Sequence, residues 1–262
     1  MTQVCFITFL EGVRNRVLYA IVIFSLIIMF LSAVFARFFM QDLSKVIADF
    51  NLGAMSLAGL LISFSVSVGL VAKDLDRRTI YFVLGRNISR RRYIFGKFAG
   101  LALLLISAYS IIFLLTHVPI LLMKSAMPGY FKSFSWNAYA LAAFADLVKC
   151  IFLNAVIIFF SSFVTTSFTV LIFSILIYIA GQSLAEVLMY VSASDAYAEL
   201  AGFLNIVKYI VPDFSSLDYK TVAANGIMPP MEIYAGSILY ALVYSAVLLV
   251  LAGIIFSRRE FP

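Results

Sequence analysis

The side chains with the most chemistry to offer lie in one island, Lys73 to Lys97 (KDLDRRTIYFVLGRNISRRRYIFGK), and in one pair, Asp146 and Lys149. Asp74 and Asp76 form a DxD, a pattern with which a membrane-embedded transferase could hold a divalent metal. Arg77 and Arg78 follow at once, and no second acidic cluster is placed to share the ion. Local ion pairing and acidic charge at a helix start account for the DxD as well. Asp146 and Lys149 stand three apart in an apolar run, which puts them on one helix face within pairing distance. Ionisable residues inside a membrane span point to function by default; mutual neutralisation or snorkelling is the alternative. Asn154, in the same run, joins them as a candidate lining residue of a translocation path.

Other chemistries lack their parts. FGKF at 95–98 has Arg91 where a phosphate-binding loop needs glycine and Phe98 where it needs Ser or Thr. No HExxH is present, and the single histidine, His117, cannot build a usual zinc site. An intramembrane His can mark a proton relay; beside Pro119 and near a helix end, His117 reads instead as hydrogen-bonding a neighbour. Cys5 and Cys150 form no CxxC or metal pattern and are expected to stay unpaired in apolar surroundings.

The elements that must hold these residues are membrane helices. Of the 262 residues, 64% are hydrophobic and only 12% charged, against about a quarter charged in an ordinary soluble domain. Mean hydropathy is +1.06. The apolar runs have helix length and lack strand alternation, so the expected class is an all-α integral membrane protein rather than a β-barrel. Six spans are predicted at about 17–38, 52–72, 98–123, 139–161, 166–185 and 233–256. Residues 3–14 read as a short interfacial helix, residues 41–51 as a polar loop, and 73–97 as a cytoplasmic segment between spans 2 and 3. Residues 138–181 are too long for one crossing, and SSFVTTS (161–167) is expected to turn the chain tightly between two. The segment 186–232 is the longest outside the spans; within it, 202–211 is apolar but short, which suits a re-entrant or interfacial element. The first apolar run exceeds the core of about 7–15 residues of a signal peptide, and is expected to be retained. The chain is read as one transmembrane domain over 1–262.

Charge sets the orientation. The island carries eight of the nineteen Lys and Arg residues. With both termini inside, twelve basic residues fall on the cytoplasmic side and six outside, with Lys149 within a span, as the positive-inside rule requires. The net charge of +6 is thereby explained beside the membrane, with contact to anionic lipid rather than nucleic acid.

A resemblance sharpens this. EGVRNRVLY (11–19) and GLLISFSVSVGLVAKDLDRRTIYFVLGRNISRRRYIFGKFAGL (59–101) resemble the permease subunits of type-2 ABC exporters. The likeness is to the six-span branch that includes the nitrous-oxide-reductase maturation permease. Thr79, Ile80, Leu84, Ser89, Arg90, Tyr93, Gly96 and Lys97 match that pattern, whereas Arg86-Asn87-Ile88 replaces its basic-Pro-Val turn. SSFVTTS resembles a second cytoplasmic contact, VPDFSSLDY (211–219) the outer-loop signature, and FSRREF the usual ending.

The resemblance implies a homodimeric permease in a bacterial or archaeal cytoplasmic membrane, with two cytoplasmic ATPase subunits that bind ATP and magnesium, and no cofactor in this chain. Asp74, Asp76, Arg77, Arg78, Thr79, Leu84, Arg86, Ser89 and Arg90 would form the ATPase-coupling helix. Glu11, Arg14 and Arg16 would belong to an elbow helix, and Ser161, Ser162, Thr165 and Thr166 to the second contact. The cargo is expected to be hydrophobic or amphipathic. The alternatives are a membrane-embedded enzyme using Asp74 and Asp76, and a secondary transporter.

Overall fold

A computed structural model describes residues 2–35, 38, 42–71, 89–164, 166–192, 207 and 210–258. Asp74, Asp76, Arg77, Arg78, Thr79, Leu84, Arg86 and Thr165 lie outside the described residues.

Helices α1 (Thr2–Val13) and α2 (Arg16–Phe35) meet at a 58° bend. Asn15 makes the break, its side-chain oxygen accepting the amide of Val17 at 3.0 Å. α1 lays Val4, Thr8 and Gly12 inward and exposes Phe6 and Ile7, the two-sided pattern of a helix at an apolar boundary. Helix α3 starts at Leu43 and, through a wide π-turn at Ile62–Ser67, continues to Val71.

The polar loop expected at 41–51 is therefore helix from Leu43 onward. The reason is an amphipathic repeat: Leu43, Ser44, Ile47, Ala48, Asn51 and Leu52 are buried while Lys45 and Asp49 stay exposed. Its 29 residues extend about 44 Å, well past a hydrocarbon core of about 30 Å.

Helix α4 (Arg90–Ala126) is capped by Ser89, whose hydroxyl accepts the amide of Arg92. Helix α5 (Trp136–Phe163) follows, capped by Ser135, and α6 (Ser167–Ser192) after it. Val164 is extended between α5 and α6, so the tight turn expected at 161–167 is present. A 3-10 turn at Ser215–Leu217 and the short α7 (Lys220–Ala224) precede the long α8 (Met231–Arg258).

Five of these helices are long and apolar enough to cross a membrane, and six if α1 and α2 count as one bent span. α5 is the axis of the bundle: 78% of its most apolar window is buried, against 22% for α6. Its neighbours are α3, α4, α6 and α8, and Phe152, Leu153, Ala155, Val156, Ile157 and Ile158 on it are all buried.

The described part of the segment before α8 packs into the bundle. The Ile210 carbonyl accepts the Tyr244 hydroxyl at 2.7 Å, the Phe214 amide donates to the Gly181 carbonyl at 3.2 Å, and Phe214 packs on Phe152 at 4.8 Å between ring centroids. Tyr244 and Gly181 lie near the middles of α8 and α6. Residues 210–218 thus pack against the middles of α6 and α8; of the apolar element expected at 202–211, all but residues 207, 210 and 211 lie outside the described residues. Gly181 permits the approach, since a Cβ there would collide with the Pro212 carbonyl oxygen.

Candidate functional site

Two polar centres stand apart in the bundle, one at the start of α4 and one around the middle of α5. At the base of the basic segment, Lys97 on α4 is almost fully buried. Its ammonium donates to the Leu70 carbonyl at 2.9 Å and lies 3.6 Å from Glu11 Oε2. One side chain therefore joins the end of α3, the start of α4 and α1. Nearby, Arg90 donates to the Ser257 carbonyl at 3.2 Å and so ties α4 to the end of α8.

Glu11, Arg14 and Arg16 are exposed. The Glu11 contact, half in solvent, adds little by itself; the charged hydrogen bond to the Leu70 carbonyl contributes more, about 1.5–3 kcal/mol. Lys97→Met, which keeps the stem, should accordingly lower stability by about 1.5–3 kcal/mol, whereas Glu11→Gln should stay within about 0.5 kcal/mol of wild type. Thermal unfolding of the two variants side by side separates them.

The second centre is buried in the bundle. Lys149 Nζ lies 2.8 Å from Asp146 Oδ1 and 3.8 Å from Asp218 Oδ2, and Asp218 Oδ2 lies 3.3 Å from Lys220 Nζ. Tyr109 of α4 donates to Asp146 Oδ2 at 2.7 Å and contacts Cys150 Sγ at 3.2 Å. Gln182 of α6 donates to Asp218 at 3.2 Å, and Lys220 to Ser56 of α3 at 3.3 Å. Lys149 sits halfway along the 28-residue α5 and is fully buried, with Asp146 buried one turn before it.

The i,i+3 pair was readable from sequence. Asp218, Lys220, Tyr109 and Gln182 were not, because only the path of residues 210–224 and helix packing bring them there. Gly59 of α3 allows the packing: a Cβ on it would stand 2.6 Å from Cys150 Sγ and collide with the Tyr109 hydroxyl. Beside this junction a mainly apolar groove of about 350 Å³ is lined by Met55, Tyr109, Phe113, Ala143, Phe144 and Leu147.

The remaining predicted residues are less connected. Ser161 and Ser162 are buried and donate to Ile157 and Phe159 carbonyls of their own helix, whereas Thr166 is exposed and pairs with Thr169 at 2.7 Å. His117 Nδ1 contacts the Phe113 carbonyl at 2.9 Å and its ring stacks on Trp136. Cys5 and Cys150 are both free thiols.

Long apolar helices around a charged centre define a multi-pass helical membrane protein. Residues 7–261 match the family described as ABC-2 family transporter protein, and the chain belongs to that family. It is a permease component of an ABC transporter, a class that associates with an ABC ATPase partner. No curated protein sequence matches the chain.

Proposed function

We propose that this chain is the path-forming subunit of an ATP-driven exporter in a bacterial or archaeal cytoplasmic membrane, with both termini inside and six crossings, of the branch similar to the nitrous-oxide-reductase maturation permease. Two copies form the path, and two cytoplasmic ATPase subunits supply ATP and magnesium chemistry from below. Residues 74–90 dock on those subunits, α1 serves as the elbow, and Thr165 and Thr166 lie at the second contact. The observation that carries this reading is Lys97. It binds the exit of α3 and the elbow helix while standing at the start of α4, so a push on the basic segment between α3 and α4 is felt by three helices at once.

The buried ions suit an outer gate. Asp146 pairs with Lys149 on α5, and Asp218 pairs with Lys220 on the re-entrant segment. Each half is neutral by itself, so the segment can lift away without leaving an uncompensated charge in the bundle, the arrangement that costs most. ATPase closure needs only to bias two packings separated by a few kcal/mol. The apolar groove beside Tyr109 supports an amphipathic cargo.

The test is co-expression with an ABC ATPase encoded beside it, followed by gentle detergent extraction. A two-plus-two complex with ATP hydrolysis is expected. A chain that purifies alone would overturn the reading and favour an enzyme built on Asp74 and Asp76, with activity lost in Asp76→Ala.

A further inference from the structure

Beyond the ion centre, α3 and α5 hold polar atoms that nothing among the described residues satisfies. Ser63 Oγ, Ser67 Oγ and both amide atoms of Asn154 are buried without a hydrogen-bond partner among the described residues, and all three residues are fully buried. Buried polar groups in proteins are hydrogen-bonded almost without exception, and in a membrane core the penalty for leaving them bare is greater still.

Their placement is convergent. α3 and α5 are separated by one antiparallel helix and so run the same way. Tyr139 reaches Met55, Gly59 lies against Cys150, and further along Val71 clusters with Ala155 and Ile158. Ser63 follows Gly59 by four residues and Asn154 follows Cys150 by four, and the turn Ile62–Ser67 that carries both serines packs against α5. Ser63 and Ser67 also bracket most of the π-turn Ile62–Ser67, a helix irregularity that recurs at functional sites.

We infer that Ser63, Ser67 and Asn154 form a binding site for an uncharged group that both donates and accepts hydrogen bonds, a hydroxyl or amide, met by water or by the polar end of the transported molecule. The choice of a neutral group follows from the surroundings. The three residues carry no formal charge; Asp146 and Lys149 on the same helix as Asn154 neutralise each other at 2.8 Å, and Lys97, beyond Ser67, is held by the Leu70 carbonyl and Glu11. Asn154 offers two donors and an acceptor, and each serine offers one of each, which matches a hydroxyl or amide and disfavours a bare ion. The inference rests on the permease reading for its role in transport, but not for the existence of the site.

The experiment is X-ray hydroxyl-radical footprinting in lipid nanodiscs, with water as the probe, together with native mass spectrometry, on wild type, Asn154→Leu and Ser63→Ala/Ser67→Ala. Water in the site should oxidise Cys150, one turn away, at least fivefold faster in wild type than in either variant. The variants should melt at or above the wild-type temperature, because apolar replacements remove the unsatisfied atoms. A bound hydroxyl- or amide-bearing molecule, seen by mass in wild type and lost in Asn154→Leu, supports the site equally and names cargo rather than water as its source. Background oxidation with no bound mass overturns the proposal, as does Cys150 oxidation unchanged in both variants. ATPase co-purification is read separately in the same preparations, so a failed permease reading is distinguishable from an empty site.

Discussion

Lys149→Met should destabilise the protein by about 3–5 kcal/mol, the cost of removing one member of a buried ion pair and leaving the other uncompensated. Among the described residues Asp146 pairs with one cation, Lys149 at 2.8 Å, and Tyr109, which donates to it, is neutral. Asp218 behaves differently, because Lys220 at 3.3 Å still balances it after Lys149 is gone. The loss should therefore be concentrated on Asp146, and Asp146→Leu/Lys149→Met should recover most of it, since well-packed apolar residues can replace a buried pair at little or no cost. Lys220→Met, with both partners partly solvated, should cost much less. Thermal unfolding of the three variants against wild type in one detergent gives all three values. If the double variant is no better than Lys149→Met, the pair is not the unit described here. If transport survives in a stable double variant, Asp146 and Lys149 do not serve the proposed gate.

Arg77→Glu/Arg78→Glu should abolish co-purification with the ATPase while leaving membrane insertion intact. The two positions carry the densest charge at the start of the proposed docking segment. Placing like charge against a complementary surface costs several kcal/mol, and each 1.4 kcal/mol is about tenfold in affinity. A drop of a hundredfold or more is thus expected. Insertion should persist because the island retains six other basic residues and acidic residues contribute little to the orientation rule. Lys132→Glu, on the predicted outer side, is the control and should leave the complex untouched. Wild-type stoichiometry in the double variant would remove residues 74–90 from the interface.

The sequence by itself determined the class and most of the helices. Membrane helices are specified by local composition: a run of about 20 apolar residues leaves the backbone no choice but to satisfy itself within the run. The turn after Phe163 and the proximity of Asp146 to Lys149 are equally local, each fixed within four residues. The family was legible too, because the island motif, the spans and the charge asymmetry occur in one order.

Sequence reading failed at residues 41–51, where a polar count hid an amphipathic repeat that pays off only once α3 has neighbours. It was also silent on the partners that make the sites. Leu70 and Lys97 are 27 apart in the chain, Tyr109 and Asp146 37 apart, and Ser56 and Lys220 164 apart. Within a membrane, a polar side chain must find a partner wherever packing provides one, and no local rule says which. Tertiary structure alone decided that the segment after Ile210 turns inward and brings Asp218 and Lys220 to the middle of α5. It did so because two charges already buried on that helix make an opposite, self-neutral pair a favourable neighbour there.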